Sequence, residues 1–113
     1  MNAACGELGS AGLATRVMID CSHANSRKNF KLQLEVARDV AAQLATGDQR
    51  IFGLMVESHL HEGRQKLESG CALEYGKSIT DACLGWEDSV SLLETLAEGV
   101  RARRKVIEEA EED

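Results

Sequence analysis

The sequence predicts an α/β fold with parallel strands, and three observations predict it. Two short apolar runs, Val17-Met18-Ile19 and Ile51-Phe52-Gly53-Leu54-Met55-Val56, lack polar alternation, as strands covered on both faces do. Between them Phe30, Leu34, Ala37, Ala41 and Leu44 recur at alternating steps of four and three, the spacing of one helix face. Strand, helix and strand in that order make a parallel pair joined by a right-handed crossover.

The elements follow in order. Gly6 to Gly12 reads as a loose Gly-rich stretch ahead of the first strand, and Asp20 closes that strand. Cys21 to Ser26 is a polar strand-to-helix loop in which Asn25 or Ser26 can accept the first free amides of the helix. Thr46-Gly47-Asp48 supplies a glycine for a left-handed helix end, and Glu57 ends the second strand. A long polar loop runs from Ser58 to Lys77, and Ser78 to Leu84 reads as a short helical piece. Asp88 or Ser89 caps a last helix with Val90, Leu93, Leu96 and Val100 on one face and Arg101, Arg103, Arg104 and Lys105 near its end, where cations favour the helix dipole. Residues 106–113 read as a solvated, mobile acidic tail. Two parallel strands with two helices leave sheet edges and faces uncovered, which marks the pattern as part of something larger.

Composition excludes several function classes. The 113 residues carry 43% hydrophobic and 28% charged side chains, ordinary globular usage. Thirteen basic against nineteen acidic residues leave a net charge of -6, which disfavours a broad grip on nucleic acid or anionic lipid. Aromatics are only 4% and proline is absent, so stacking platforms and Pro-rich recognition segments are missing. No apolar run approaches a membrane span, and no basic-then-apolar leader opens the chain, so the expected setting is the cytoplasm. Cys5, Cys21, Cys71 and Cys83 form no C-x-x-C pair and are expected as reduced thiols.

In α/β folds ligands gather beyond the carboxyl ends of parallel strands. His23 lies just past the first strand and Glu57 ends the second, so adjacent strands present an imidazole and a carboxylate to one rim, a pair suited to a divalent metal. For His23 alone a loop histidine bonded to backbone is the commoner outcome. A carboxylate ending a buried apolar run needs a cation or a donor to offset its desolvation, so Glu57 is the stronger candidate. Asp81, taken alone, reads as a first-turn acid. His59 and His61 read as a solvated loop pair, and Cys21 and Cys83 as small buried hydrophobes.

Three segments change the weighing. They are Met18-Ile19-Asp20-Cys21-Ser22-His23-Ala24-Asn25-Ser26, Gly53-Leu54-Met55-Val56-Glu57-Ser58-His59-Leu60, and the run Tyr75-Gly76-Lys77-Ser78-Ile79-Thr80-Asp81-Ala82-Cys83-Leu84-Gly85-Trp86-Glu87. Together they closely resemble the type I 3-deoxy-D-arabino-heptulosonate 7-phosphate (DAHP) synthases, in order and at compatible spacing, to about Arg104. Leu67-Glu68-Ser69-Gly70 also fits the family's last loop, while Ala72 stands where those enzymes usually have proline.

The resemblance implies a TIM (β/α)8 barrel of which residues 1–105 are the C-terminal two strand-helix units, incomplete as a barrel by themselves, with residues 106–113 as a tail. It implies an enzyme that condenses phosphoenolpyruvate with erythrose 4-phosphate to DAHP and phosphate, the first step of the shikimate pathway to aromatic amino acids. It implies a homo-oligomer as the full enzyme, without nucleic-acid or membrane partners. It also implies a divalent metal held by a cysteine, a histidine, a glutamate and an aspartate, the last three falling on His23, Glu57 and Asp81. Mixed N, O and S donors suit manganese, iron, cobalt or zinc. None of the four cysteines here matches the family's cysteine motif, and that ligand and the phosphate-gripping residues lie in the part without a counterpart here. Met1-Asn2-Ala3-Ala4-Cys5 resembles an internal helix of the full enzyme, so the expectation is a truncated product or partial sequence, inactive alone. Two alternatives stay open: a non-catalytic interaction protein that pairs with another chain to complete a barrel, and an independent small metal-binding module.

Overall fold

The computed structural model describes residues 1–27 and 29–112. Its elements are α1 (Asn2–Ser10), β1 (Val17–Asp20), a 3-10 turn (Ala24–Ser26), α2 (Leu32–Ala45), β2 (Ile51–Met55) and α3 (Trp86–Glu112). The strands pair in parallel, with Val17 opposite Ile51 and, after a register shift, Met18, Ile19 and Asp20 opposite Gly53, Leu54 and Met55. Both strands therefore end level, and the residues that follow them open at the same rim.

Apolar side chains of α2 and α3 pack onto one face of the sheet. Val40 and Leu44 of α2 bury Ile51, with Val17, Ile19, Leu54 and Val100 against them. Ala37 and Leu92 enclose Leu84, with Phe30, Leu34, Val56 and Leu96 around them. The other face stays open, with Met18 54% and Phe52 66% exposed. The unalternating runs predicted burial on both faces, and among the described residues no second layer covers this one. A Cα radius of gyration of 17.4 Å, against about 13 Å for a compact chain of this length, fits that open arrangement. No described helix is long and apolar enough to cross a membrane.

Several local expectations are corrected. Gly6 and Gly9 lie inside α1 rather than in a loose stretch. Tertiary anchors outweigh their weak helix propensity: Cys5 is buried, Met1 packs on the Val40 cluster, and Arg50 Nη1 donates to Asn2 Oδ1 at 2.8 Å. Gly12, at φ +75°, ends the helix as Leu13 N–H reaches back to the Leu8 carbonyl and Gly12 N–H to that of Gly9. Neither Asn25 nor Ser26 caps α2, because the separate 3-10 turn holds them and Lys31, just ahead of α2, caps it with no side-chain hydrogen bond. Gly47, at φ 98°, ends α2 as expected.

Residues 78–84 are not helical: Ser78, Cys83 and Leu84 form bridges on either side of a bend at residues 79–81, because their backbone groups pair with the long loop and the residues after β2. Gly63 and Cys83 exchange backbone hydrogen bonds, and Leu84 N–H donates to the Glu57 carbonyl at 3.0 Å while His59 N–H donates to that of Leu84. Leu84, fully buried, thus lies parallel beside Ser58, where β2 has just ended. Helix α3 starts at Trp86, ahead of the expected caps, and it buries Leu92 and Gly99 while Val90 and Leu93 stay exposed. Close approach to Ala41 sets that rotation, because only a glycine fits there: a Cβ on Gly99 would lie 2.9 Å from the Ala41 carbonyl oxygen. The helix continues through residues 106–112, with Ile107 half-buried and residues 108–112 exposed. Arg103 therefore sits mid-helix, and it donates to the Asp48 and Ile51 carbonyls at the start of β2 rather than capping a helix end.

Candidate metal centre

His23, Glu57 and Asp81 come together at the carboxyl end of the parallel pair, with one ligand atom from each lying within 4.8 Å of the others. His23 Nε2 is 3.1 Å from Glu57 Oε1 and 3.8 Å from Asp81 Oδ2. Each arrives by a different route. The turn after β1 carries His23, and Asn25 Nδ2 tightens that turn by donating to the Asp20 carbonyl at 2.8 Å. Glu57 follows β2, its backbone N–H donating to Gln33 Oε1 at 2.9 Å and its carbonyl accepting from Gln33 Nε2 at 3.1 Å. Asp81 comes from the bend within the 78–84 segment. The sequence reading of Asp81 taken alone, as a first-turn acid, fails because there is no helix there.

The three line a cavity of about 200 Å³ with Ser22, Arg64 and Ala82. Arg64 adds a cation beside the carboxylates, and sequence reading missed it because the long loop gave no periodicity to place it. Asp20 was missed as a site residue too, having been read only as a strand end. Its Oδ2 lies 2.7 Å from His23 Nδ1, and its Oδ1 accepts from Ser22 N–H at 2.8 Å and Ser22 Oγ at 2.6 Å. Those donors, the Ser22 hydroxyl first and His23 next, hold the Asp20 carboxyl down to about 2. The bond to Asp20, with the charges of Glu57 and Asp81 adding to it, raises His23 above its ordinary value.

An imidazole nitrogen with two carboxylates is a donor set that suits a borderline divalent cation, so the residues present fit a metal. The cysteines stay outside. Cys21 is fully buried, and burial pushes its thiol up to about 11. Burial also raises Cys83. Both behave as small buried hydrophobes, as their sequence context suggested. His59 and His61 are exposed and lie outside the cluster.

Comparison with known proteins identifies the family. The sequence model of the DAHP synthetase I family matches residues 1–94. The Phe-sensitive phospho-2-dehydro-3-deoxyheptonate aldolase of Escherichia coli K12 is 62% identical over 97 residues, 86% of this chain and 28% of that protein. The phospho-2-dehydro-3-deoxyheptonate aldolase of Haemophilus influenzae is 55% identical over 101 residues, 89% of this chain and 28% of that protein. Among solved structures, the phospho-2-dehydro-3-deoxyheptonate aldolase of Francisella tularensis SCHU S4 superposes with a TM-score of 0.85 at 41% identity, covering 90% of this chain and 29% of its own. The chain thus spans under a third of the length of these relatives. With the family match covering residues 1–94 and the fold superposing, the chain belongs to the DAHP synthetase I family.

Proposed function

We propose that this chain supplies the last two strand-helix units, residues 1–105, of a TIM-barrel DAHP synthase. The reaction is the condensation of phosphoenolpyruvate with erythrose 4-phosphate to DAHP and phosphate, the first committed step toward aromatic amino acids. One observation carries the reading. In a chain of this family, His23, Glu57 and Asp81 converge at the strand ends where barrel enzymes keep their active sites. The open sheet face at Met18 and Phe52 supports the barrel, because in a closed barrel that face turns inward and is covered.

In this reading His23 Nε2, Glu57 and Asp81 hold a divalent cation, whether manganese, iron, cobalt or zinc. When bound, the metal supplies Lewis acidity toward the aldehyde carbonyl of erythrose 4-phosphate. The chain's own part is positional. Gln33 holds the Glu57 backbone in place, the pairing of residues 78–84 with the long loop sets Asp81, and Arg64 offers a donor to an anionic group entering the cavity. The fourth ligand and the remaining phosphate contacts belong to the rest of the barrel, so the chain by itself is inactive. The full assembly is a homo-oligomer in the cytoplasm, where four free cysteines stay reduced.

The test joins this chain to the N-terminal barrel units of the Escherichia coli relative and measures phosphate release with manganese and both substrates. The expected result is activity in the chimera, its loss in His23→Ala, and none in the chain alone. A folded chimera without activity overturns the reading. A second reading, favoured by the uncovered sheet face, is that a separate chain completes the barrel. Co-purification of a barrel-like partner with the tagged chain is its signature.

A further inference from the structure

We propose that Asp20 is a positioning residue that sets the tautomer of His23, holding the proton on Nδ1 so that the lone pair of Nε2 faces Glu57 and Asp81. The inference rests on the metal-centre reading and adds a residue to it. Asp20 Oδ2 is 2.7 Å from His23 Nδ1, the shortest polar contact that the ring makes. A metal ligand must present a bare nitrogen, and a carboxylate at the opposite ring nitrogen secures that state.

The two oxygens of Asp20 are not equivalent. Oδ1 accepts from the Ser22 backbone N–H at 2.8 Å, and a backbone N–H can only donate, so whatever atom stands at Oδ1 must accept. The Ser22 hydroxyl, 2.6 Å away, also points its hydrogen there. An asparagine at position 20 therefore keeps its carbonyl oxygen at Oδ1 and turns its NH2 to His23 Nδ1. That NH2 can only donate, so Nδ1 becomes the bare acceptor and the proton moves to Nε2. The nitrogen between Glu57 and Asp81 is then blocked by its own hydrogen.

This outcome separates positioning from support of the turn. If Asp20 merely held the loop, the nearly isosteric Asp20→Asn would be milder than Asp20→Ala. If it sets the tautomer, Asp20→Asn is at least as harmful to metal uptake as Asp20→Ala, although it preserves the turn.

The experiment uses the full chain with 15N-labelled histidine at a pH where the ring is neutral. His23 signals are assigned by their loss in His23→Gln, two-bond 1H–15N correlations report which ring nitrogen carries the proton, and Co2+ titration followed by d–d absorption reports uptake. We expect Nδ1–H in the wild type, Nε2–H in Asp20→Asn with unchanged far-UV circular dichroism, and Co2+ binding weakened roughly 10- to 100-fold in that variant. A wild-type ring protonated at Nε2 overturns the proposal whether or not the variant folds. So does a folded Asp20→Asn that keeps Nδ1–H or binds Co2+ as the wild type does. If the tautomer switches as expected while no form binds Co2+, the metal-centre reading has failed and the role of Asp20 in orienting the ring stands.

Discussion

Gln33 and Glu57 form a closed two-point pair: the side-chain amide of Gln33, 1% exposed, donates to the Glu57 carbonyl and accepts from the Glu57 N–H. In effect a helix side chain takes the place of the next strand and pins the backbone from which Glu57 reaches the cavity. Replacing Gln33 with leucine leaves the Glu57 N–H without a partner, while the Glu57 carbonyl keeps its bond from the Leu84 N–H. An unsatisfied backbone N–H costs about 1–3 kcal/mol, so Gln33→Leu is expected to lower the urea midpoint and to weaken metal uptake. A variant as stable as the wild type would show that water replaces the amide.

The same substitution at two helical glycines should act with opposite sign. A Cβ at Gly99 meets the Ala41 carbonyl oxygen at 2.9 Å and the Ala41 Cα at 3.1 Å, backbone atoms that cannot step aside without moving α2. Gly99→Ala is expected to cost about 1–3 kcal/mol. At Gly6 of α1 nothing lies within 4 Å of a Cβ, so Gly6→Ala should gain about 0.5–1 kcal/mol of helix propensity. Thermal melts of the pair decide it, and equal shifts of the same sign would refute the packing argument.

Removing single donors should dissect the cluster. His23→Ala and Glu57→Gln are expected to reduce Co2+ or Mn2+ affinity at least about tenfold, since losing even a group that only orients a ligand typically costs about that much. His59→Ala and His61→Ala should leave uptake unchanged, because both rings lie outside the cluster. Isothermal titration of the four variants checks this, and an effect of His61→Ala equal to that of His23→Ala would displace the site.

Acid should loosen the start of β2. Asp48 Oδ2 takes Arg50 Nη2 at 2.7 Å and its Oδ1 takes Nε at 3.0 Å, and this side-chain pairing holds its carboxyl at about 2, below the ordinary 3.8. A folded-state value below the unfolded one stabilises above pH 3.8, and the gain is lost as the pH falls toward about 2. Asp20 titrates in the same window, so the test is the difference between wild type and Asp48→Asn in urea midpoint. That difference should shrink between about pH 4 and pH 2, and a constant difference would count against the linkage.

Much of the scaffold was readable because its signals are local. Alternating steps of three and four placed α2, two apolar runs placed the strands, and Gly47 marked a helix end that needs positive φ. His23, Glu57 and Asp81 lie in motifs whose family resemblance the comparison with known proteins bears out, and for His23 and Glu57 the position past a strand end pointed the same way. Gln33 left a signal that could have been read, a polar side chain beside the apolar face of α2.

Other features depend on partners distant in sequence, and so escaped. The helical state of Gly6 and Gly9 depends on Arg50 and the Val40 cluster, and the rotation of α3 depends on Ala41, far away in sequence. Residues 78–84 carry a plausible helical composition, yet their amides and carbonyls are taken by the long loop and the end of β2.

By itself the sequence determined the strand-helix-strand order and the position of His23 and Glu57 past the strand ends, because periodicity and residue chemistry are properties of neighbours along the chain. Only the tertiary structure decided that Asp81 reaches His23 from a bend in a non-helical segment, that Asp20 takes the far side of the ring, and which face of the sheet stays open. Those outcomes rest on hydrogen bonds and close contacts between residues remote in sequence, whose geometry exists only once the backbone has closed around them.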